Sequence, residues 1–254
     1  MKKTRIILLL AFTLLLTLAC SVFSGPVESS DAPMESAPAN QPAAEEPAAQ
    51  APAAEEPAPA AEAPASNILF QDDFSDTNSG WDRSDWDSGI TDYNSGTYRM
   101  LVKIPSYDIW ANPGRSFDGD IRVEADASKV AGEYDDDYGL ICRYSGEPSA
   151  PNYYYFIISS DGYAVIGKVT AGESVYISSE KMVPSDAIKQ GMTTNHLAAD
   201  CIGSTLTFSV NGQQVASASD TSFTSGDVGF IAGTFDIPSA EFSFDNLVVS
   251  RPQN

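Results

Sequence analysis

The chemistry open to this 254-residue chain rests on three cysteines, one histidine and 35 carboxylates. Nucleophilic catalysis needs a Ser, Thr or Cys within reach of a base. His196 is the only imidazole, and no serine or cysteine stands beside it in a recognisable catalytic pattern. Cys142, Cys201 and His196 lack the paired spacing of a zinc site. The carboxylates are hard oxygen donors suited to calcium, which takes about 6–8 of them. The run Asp135-Asp136-Asp137 reads as a solvated loop, because unpaired acids are costly to bury. Glu124 and Asp126 alternate with Val123, Ala125 and Ala127, so they face water from a strand whose apolar residues face inward. In Asn152-Tyr153-Tyr154-Tyr155-Phe156-Ile157-Ile158-Ser159 both faces are apolar, so the second must be covered by a loop or line a groove. Sugar rings stack on flat aromatic faces. Tyr153 and Tyr155, with Trp110 from the Asp/Ser/Gly-rich first third of the domain, are therefore candidate ligand contacts. Trp81, after the turn Asn78-Ser79-Gly80, reads as core, whereas Trp86 is open to either role.

The elements that position these residues divide the chain in three. A positive start, Lys2-Lys3-Thr4-Arg5, precedes an uncharged stretch from Ile6 to Val27. Its apolar centre is short for a membrane span, which needs roughly 20 residues, and the pattern is that of an export signal. Thr17-Leu18-Ala19-Cys20 resembles the lipobox of bacterial lipoproteins, in which the cysteine receives a diacylglycerol. The resemblance implies that residues 1–20 are a signal segment, that Cys20 is lipidated and that the protein sits on the outer face of a membrane. Cleavage after Ser24, giving a soluble secreted protein, and an uncleaved anchor are the alternatives. Residues 21–66 hold 15 alanines, 9 prolines and 8 acids, with no lysine or arginine. With so few large apolar residues this stretch is expected to be a disordered, extended linker. The formal charge is −21; beyond residue 66 there are 27 acidic and 11 basic residues, leaving −16 on the folded part. That balance excludes nucleic acid, whose recognition needs basic surface. Neutral ligands or cations suit it better.

Residues 67–252 carry short aromatic and β-branched runs separated by Gly, Asp, Asn and Ser. Asp161-Gly162 and Asn211-Gly212 are favoured hairpin dipeptides, and only Ser185–Gln190 reads as a helical turn. Short strands with no βαβ spacing predict an all-β fold, an antiparallel β-sandwich of jelly-roll type. Leu140, Cys142 and Tyr144 share one strand face, as do Leu197, Ala199 and Cys201. Export permits disulfides, so Cys142 and Cys201 are expected to bridge, inward-facing on neighbouring strands.

The runs "DDFSDTNSGW", "YGLICRY", "YYYFIISSDGYAVIGK", "GDVGFIAG" and "FSFDNLVVS" together resemble the concanavalin A-like lectin/glucanase superfamily, nearest to LamG-type and 3-keto-disaccharide hydrolase-like jelly rolls. Glucanases of this kind carry Glu-x-Asp-x-x-Glu on one strand. Here Glu124 and Asp126 match, but Lys129 replaces the second glutamate, which argues against catalysis through that motif. The resemblance also implies a structural calcium where first and last strands meet, at Asp73 and Asp245, with backbone capping by Asp245 and Asn246 as the alternative. The expected function is an exported, lipid-anchored, non-catalytic module binding extracellular glycan. A structural or adhesive module binding a surface protein is the alternative, and an unusual glycoside hydrolase the third reading.

Overall fold

The computed structural model describes residues 67–252. The expected signal segment 1–20, Cys20 and the linker 21–66 lie outside the described residues. The described residues form strands and no α-helix. In chain order the strands are β1 (Ile68–Asp72), β2 (Ser84–Asp85), β3 (Gly89–Asn94), β4 (Thr97–Val102), β5 (Tyr107–Ala111) and β6 (Ser116–Asp118). The long central strands follow: β7 (Ile121–Ala131), β8 (Asp137–Glu147), β9 (Ala150–Ser159), β10 (Tyr163–Thr170) and β11 (Glu173–Tyr176). The last are β12 (Val183–Pro184), β13 (Thr194–Ile202), β14 (Thr205–Val210), β15 (Gln213–Ser219), β16 (Ser225–Thr234) and β17 (Ala240–Ser250).

They pair antiparallel into two sheets, so the fold is an antiparallel β-sandwich. A nine-stranded sheet runs β15-β14-β13-β7-β17-β4-β3-β2, with β1 also on β17. An eight-stranded sheet runs β11-β10-β9-β8-β16-β5, with β12 on β10 and β6 on β16. The reason is written in the alternation. β7 buries Ile121, Val123, Ala125 and Ala127 and leaves Arg122, Glu124 and Asp126 half-exposed. β9 sends Tyr154, Phe156 and Ile158 into the same core from the opposite sheet. Asn211 and Gly212 have φ of 50° and 80°, the left-handed pair a type I′ hairpin turn requires. Ser185–Gln190 is a turn rather than a helix, closed by the Ile188 amide on the Ser185 carbonyl at 3.2 Å.

Cys142 and Cys201 form the disulfide, with a correction to its placement. Cys142 lies on β8 and Cys201 on β13, so the bridge crosses the core between the two sheets instead of joining neighbours within one; the Cα atoms are 7.0 Å apart. Both strands point their cysteines into the shared core, where the facing sheet is nearest. Beside it Arg143 takes a φ of 57° in a β-bulge. Its buried guanidinium donates to the carbonyls of Cys201, Gly203 and Phe223, each at 2.9 Å, so it ties the two sheets together at that end.

Candidate functional site

The two outer faces of the sandwich differ, and the site lies on the eight-stranded one. There β9 exposes a second apolar set, Tyr153, Tyr155 and Ile157, which packs with Ile141, Val165, Val169 and Ile231. The two-faced pattern of β9 thus makes two cores, one inside the sandwich and one on its outer surface. Aromatic rings extend the second core in a row. Ring centroids lie 6.2 Å apart for Trp110 and Tyr153, 5.8 Å for Tyr144 and Tyr153, and 6.3 Å for Tyr153 and Tyr155. Tyr155 lies over Gly167 of the adjoining strand, where any Cβ would strike its ring. Its hydroxyl is within 2.9 Å of Ser174 Oγ.

Above this row runs a groove in two parts. The larger, about 620 Å³, is lined by Trp86, Tyr107, Trp110, Tyr144 and the carboxylates Asp82, Asp108 and Asp227. The smaller, about 260 Å³, is lined by Asp108, Asp137, Tyr153, Tyr155 and Tyr176. Of the three expected contacts, Trp110 is half-exposed and lines the larger part. Tyr153 and Tyr155 line the smaller part and are only 3% and 4% exposed. They are the floor that holds Trp110 and Tyr144 upright, because their rings are spent on packing with one another. Trp86, 54% exposed, is the accessible aromatic that sequence reasoning left open, while Trp81 is core.

Two carboxylates close the smaller part. Asp108 on β5 and Asp137 on β8 both register with Gly233 of the intervening β16. Their Oδ1 atoms both lie within 3.0 Å of the point a Gly233 Cβ would occupy, so the absent side chain makes room for the pair. Neither carboxylate accepts a hydrogen bond or ion pair from any described residue. Burial, and then the charges of Asp108 and Asp136, hold Asp137 well above the usual carboxylate range; burial raises Asp108 as well. Asp108 is open to solvent, whereas Asp137 is 7% exposed. Asp227, at the other end of the groove, is pushed by burial up to about 6 against its backbone hydrogen bonds.

The reading of Asp135–Asp137 as a solvated loop is therefore corrected. Asp136 is buried inside the sandwich, where Lys129 Nζ meets its Oδ2 at 3.2 Å and also donates to the Glu133 carbonyl. Lys129 is thus an inward-facing structural cation. Glu124 and Asp126 face outward from the other sheet, remote from the groove in topology. Arg122 joins Glu124 to Asp200 at 3.0 and 2.7 Å, and His196 Nδ1 lies 2.9 Å from Asp126 Oδ1. The two carboxylates expected to hold calcium each bond to a neighbouring turn. Asp73 accepts from the Ser75 amide and hydroxyl at 3.1 and 2.6 Å, and Asp245 from the Asn246 amide at 2.7 Å. Among the described residues no three His, Cys, Asp or Glu side chains converge to hold a metal.

No protein-family model matches the chain, and no curated protein matches it by sequence. Solved structures do. A carbohydrate-binding module from Bacillus subtilis is 17% identical and superposes with a TM-score of 0.53, covering 67% of this chain and 95% of its own. A Bacillus licheniformis β-glucanase is 15% identical at a TM-score of 0.51, covering 72% and 98%. A native glycosidic hydrolase is 13% identical at a TM-score of 0.55, covering 76% and 99%. At such identities the likeness is one of fold, and the resemblance to concanavalin A-like jelly rolls holds at that level.

Proposed function

We propose that the groove on the eight-stranded sheet binds extracellular carbohydrate, in a protein exported and lipid-anchored through Cys20. The observation that carries this reading is the aromatic rim. Trp110, Tyr144 and Trp86 line an open groove, and Tyr153 packs beneath Trp110 and Tyr144. A rigid aromatic platform beside a few polar groups is the arrangement that holds a sugar ring. The fold it shares with a carbohydrate-binding module and with glycosidases supports the same reading. A glycan array probed with the intact protein tests it. Trp110→Ala and Trp86→Ala should each weaken a hit by roughly tenfold while the protein stays folded, with unfolding unchanged for exposed Trp86 and modestly lowered for Trp110, which packs on the outer cluster. Binding unchanged in both variants would overturn the groove assignment. The anchor has its own test: radioactive fatty acid should label the wild type and not Cys20→Ala.

Glycoside cleavage in the same groove is a second reading, favoured by the Asp108–Asp137 pair. Their Oδ1 atoms both lie within 2.7 Å of one point, too close for the water that an inverting glycosidase holds between its carboxyls, so a retaining mechanism is the form this reading takes. In that chemistry one acid protonates the departing glycosidic oxygen, and the other carboxylate attacks the anomeric carbon before water releases it. Reducing ends released from a bound polysaccharide by the wild type, and not by Asp137→Asn, would establish it.

A further inference from the structure

Most half-buried or buried charges of the domain meet an opposite partner. Lys129 serves Asp136, Lys168 serves Asp220 at 2.5 Å, Arg122 serves Asp200, and Arg99 serves Asp92 at 2.9 Å. Buried Asp137, joined by the more exposed Asp108, breaks that pattern. They converge over Gly233 with no partner, and Asp137 is 7% exposed with its carboxyl lining the groove. No lysine, arginine or histidine lines either part of that groove, while Asp82 and Asp227 add further carboxylates. An acid buried without an ion-pair partner is costly to ionise, and a cation arriving beside it lowers that cost. The walls point the same way, because half-exposed Trp110 lines the groove and an indole ring attracts cations over its face.

We propose that the ligand carries a positive charge: a glycan with free amines, whose ammonium docks between Asp108 and Asp137 while its ring lies against Trp110. This rests on the carbohydrate reading above and names the substrate class of the same site. An organic ammonium fits better than a metal ion. Calcium needs about 6–8 oxygen ligands, and no third acidic, histidine or cysteine side chain joins the pair among the described residues. An ammonium needs only a few acceptors and gains from aromatic contact.

The test is calorimetry of the full chain at pH 6.5 with three trisaccharides of equal length: β-1,4-linked glucosamine, its N-acetylated form and the corresponding glucose oligomer. The amine trisaccharide should bind about tenfold more tightly than the other two, the scale of one charge-assisted hydrogen bond. The advantage should vanish in Asp137→Asn and in Asp108→Asn, isosteric changes whose folding is checked by thermal unfolding. It should survive Glu124→Gln on the opposite sheet, which changes the net charge by the same amount. Equal affinity for all three sugars would overturn ammonium docking and leave the glycan reading standing. Amine selectivity that persists in the Asp108→Asn/Asp137→Asn double variant would also overturn it, as attraction to the domain's overall negative charge. Failure of all three sugars to bind would overturn both.

Discussion

The outer faces of the two sheets carry the same kind of residue in opposite states. On the nine-stranded sheet Glu124, Asp126 and Asp200 are each met by Arg122 or His196. On the eight-stranded sheet Asp108 and Asp137 face one another across a glycine amid aromatic rings; neither forms an ion pair among the described residues, and Lys129, paired with Asp136, acts on Asp137 only through its field. The first face is a surface satisfied by the fold itself, and surface ion pairs of that kind contribute little to stability. The second is left incomplete, with its energetic deficit placed beside a groove. Unpaired carboxylates lining a groove mark a candidate site more than the abundance of acids in the chain does.

Since one disulfide ties the two sheets, breaking it should affect both faces at once. Replacing Cys142 and Cys201 together by serine opens a link between positions 59 residues apart. In the chain-entropy picture this costs about 4 kcal/mol. Chemical denaturation should show one cooperative transition at lower midpoint, with fluorescence of Trp81 in the core and Trp110 on the outer face reporting it together. Two separated transitions would mean that the faces belong to independently stable layers.

A smaller change addresses the groove alone. Gly233→Ala places a methyl group where both carboxylate oxygens now sit. Relieving the overlap by turning Asp108 and Asp137 apart should cost about 1–3 kcal/mol, the usual penalty of an added methylene in packed space. Arg122–Asp200 and its neighbours should keep their exchange and titration behaviour by NMR. The equivalent small-to-large change on a half-exposed position of β7, such as Ala131→Val, should be close to neutral.

The contrast between faces was only partly legible in the sequence. The strands with strong alternation, β7, β9, β13 and β17, are visible in their apolar periods, and so are the inward cysteines. β9 even announces a second buried face, because Tyr153, Tyr155 and Ile157 cannot all be left in water. What stays hidden is β5. Its five residues, Tyr107–Ala111, sit between Pro105 and Pro113 with an acid at the second position, and no run of apolar residues advertises them. Yet β5 supplies both Asp108 and Trp110. Pairing of Asp108 with Asp137 depends on β16 lying between β5 and β8, a non-local arrangement that local patterning does not encode. Gly233 is the one hint, a glycine inside a strand, which signals close approach by a neighbour. That the Cys142–Cys201 disulfide crosses between sheets, where neighbouring strands are expected, is missed for the same reason. Inward direction is local, but which sheet a strand joins is not.

Acidity separates the faces next. Burial, then the charges of Asp108 and Asp136, raise Asp137 above its ordinary 3.8. A carboxyl raised in the folded state contributes stability in full below the unfolded value, and that contribution is lost as pH rises through the folded value. Asp137→Asn should therefore stabilise the protein at pH 7, by about the 2–4 °C that 1 kcal/mol produces in a domain of this size. The gain should disappear near pH 3.5. Asp126 behaves in the opposite sense. Its partial burial acts upward, but hydrogen bonds from His196 and Asn246 outweigh that and hold it below 3.8. Its contribution is present above the unfolded value and lost as pH falls, so Asp126→Asn should slightly destabilise at pH 7. Melting curves of both variants from pH 3 to 8 should diverge in opposite directions; parallel curves would erase the distinction.

The smallest effect expected is on the satisfied face, and its smallness is the point. Arg122 reaches Asp200 with one amino group at 2.9 and 2.7 Å and Glu124 with the other at 3.0 Å, a well-formed but half-exposed network. Desolvation and side-chain ordering offset most of the Coulombic gain at such a surface. A double-mutant cycle on Arg122→Gln and Asp200→Asn should give a coupling of about 0.2–1 kcal/mol. It should shrink further in 1 M salt, where the screening length falls to about 3 Å. Glycan affinity should not change in any member of the cycle, because the network lies on the sheet opposite the groove. A coupling several-fold larger, insensitive to salt, would show that this face is also holding charge against an energetic deficit. The division into a settled face and a working one would then fail.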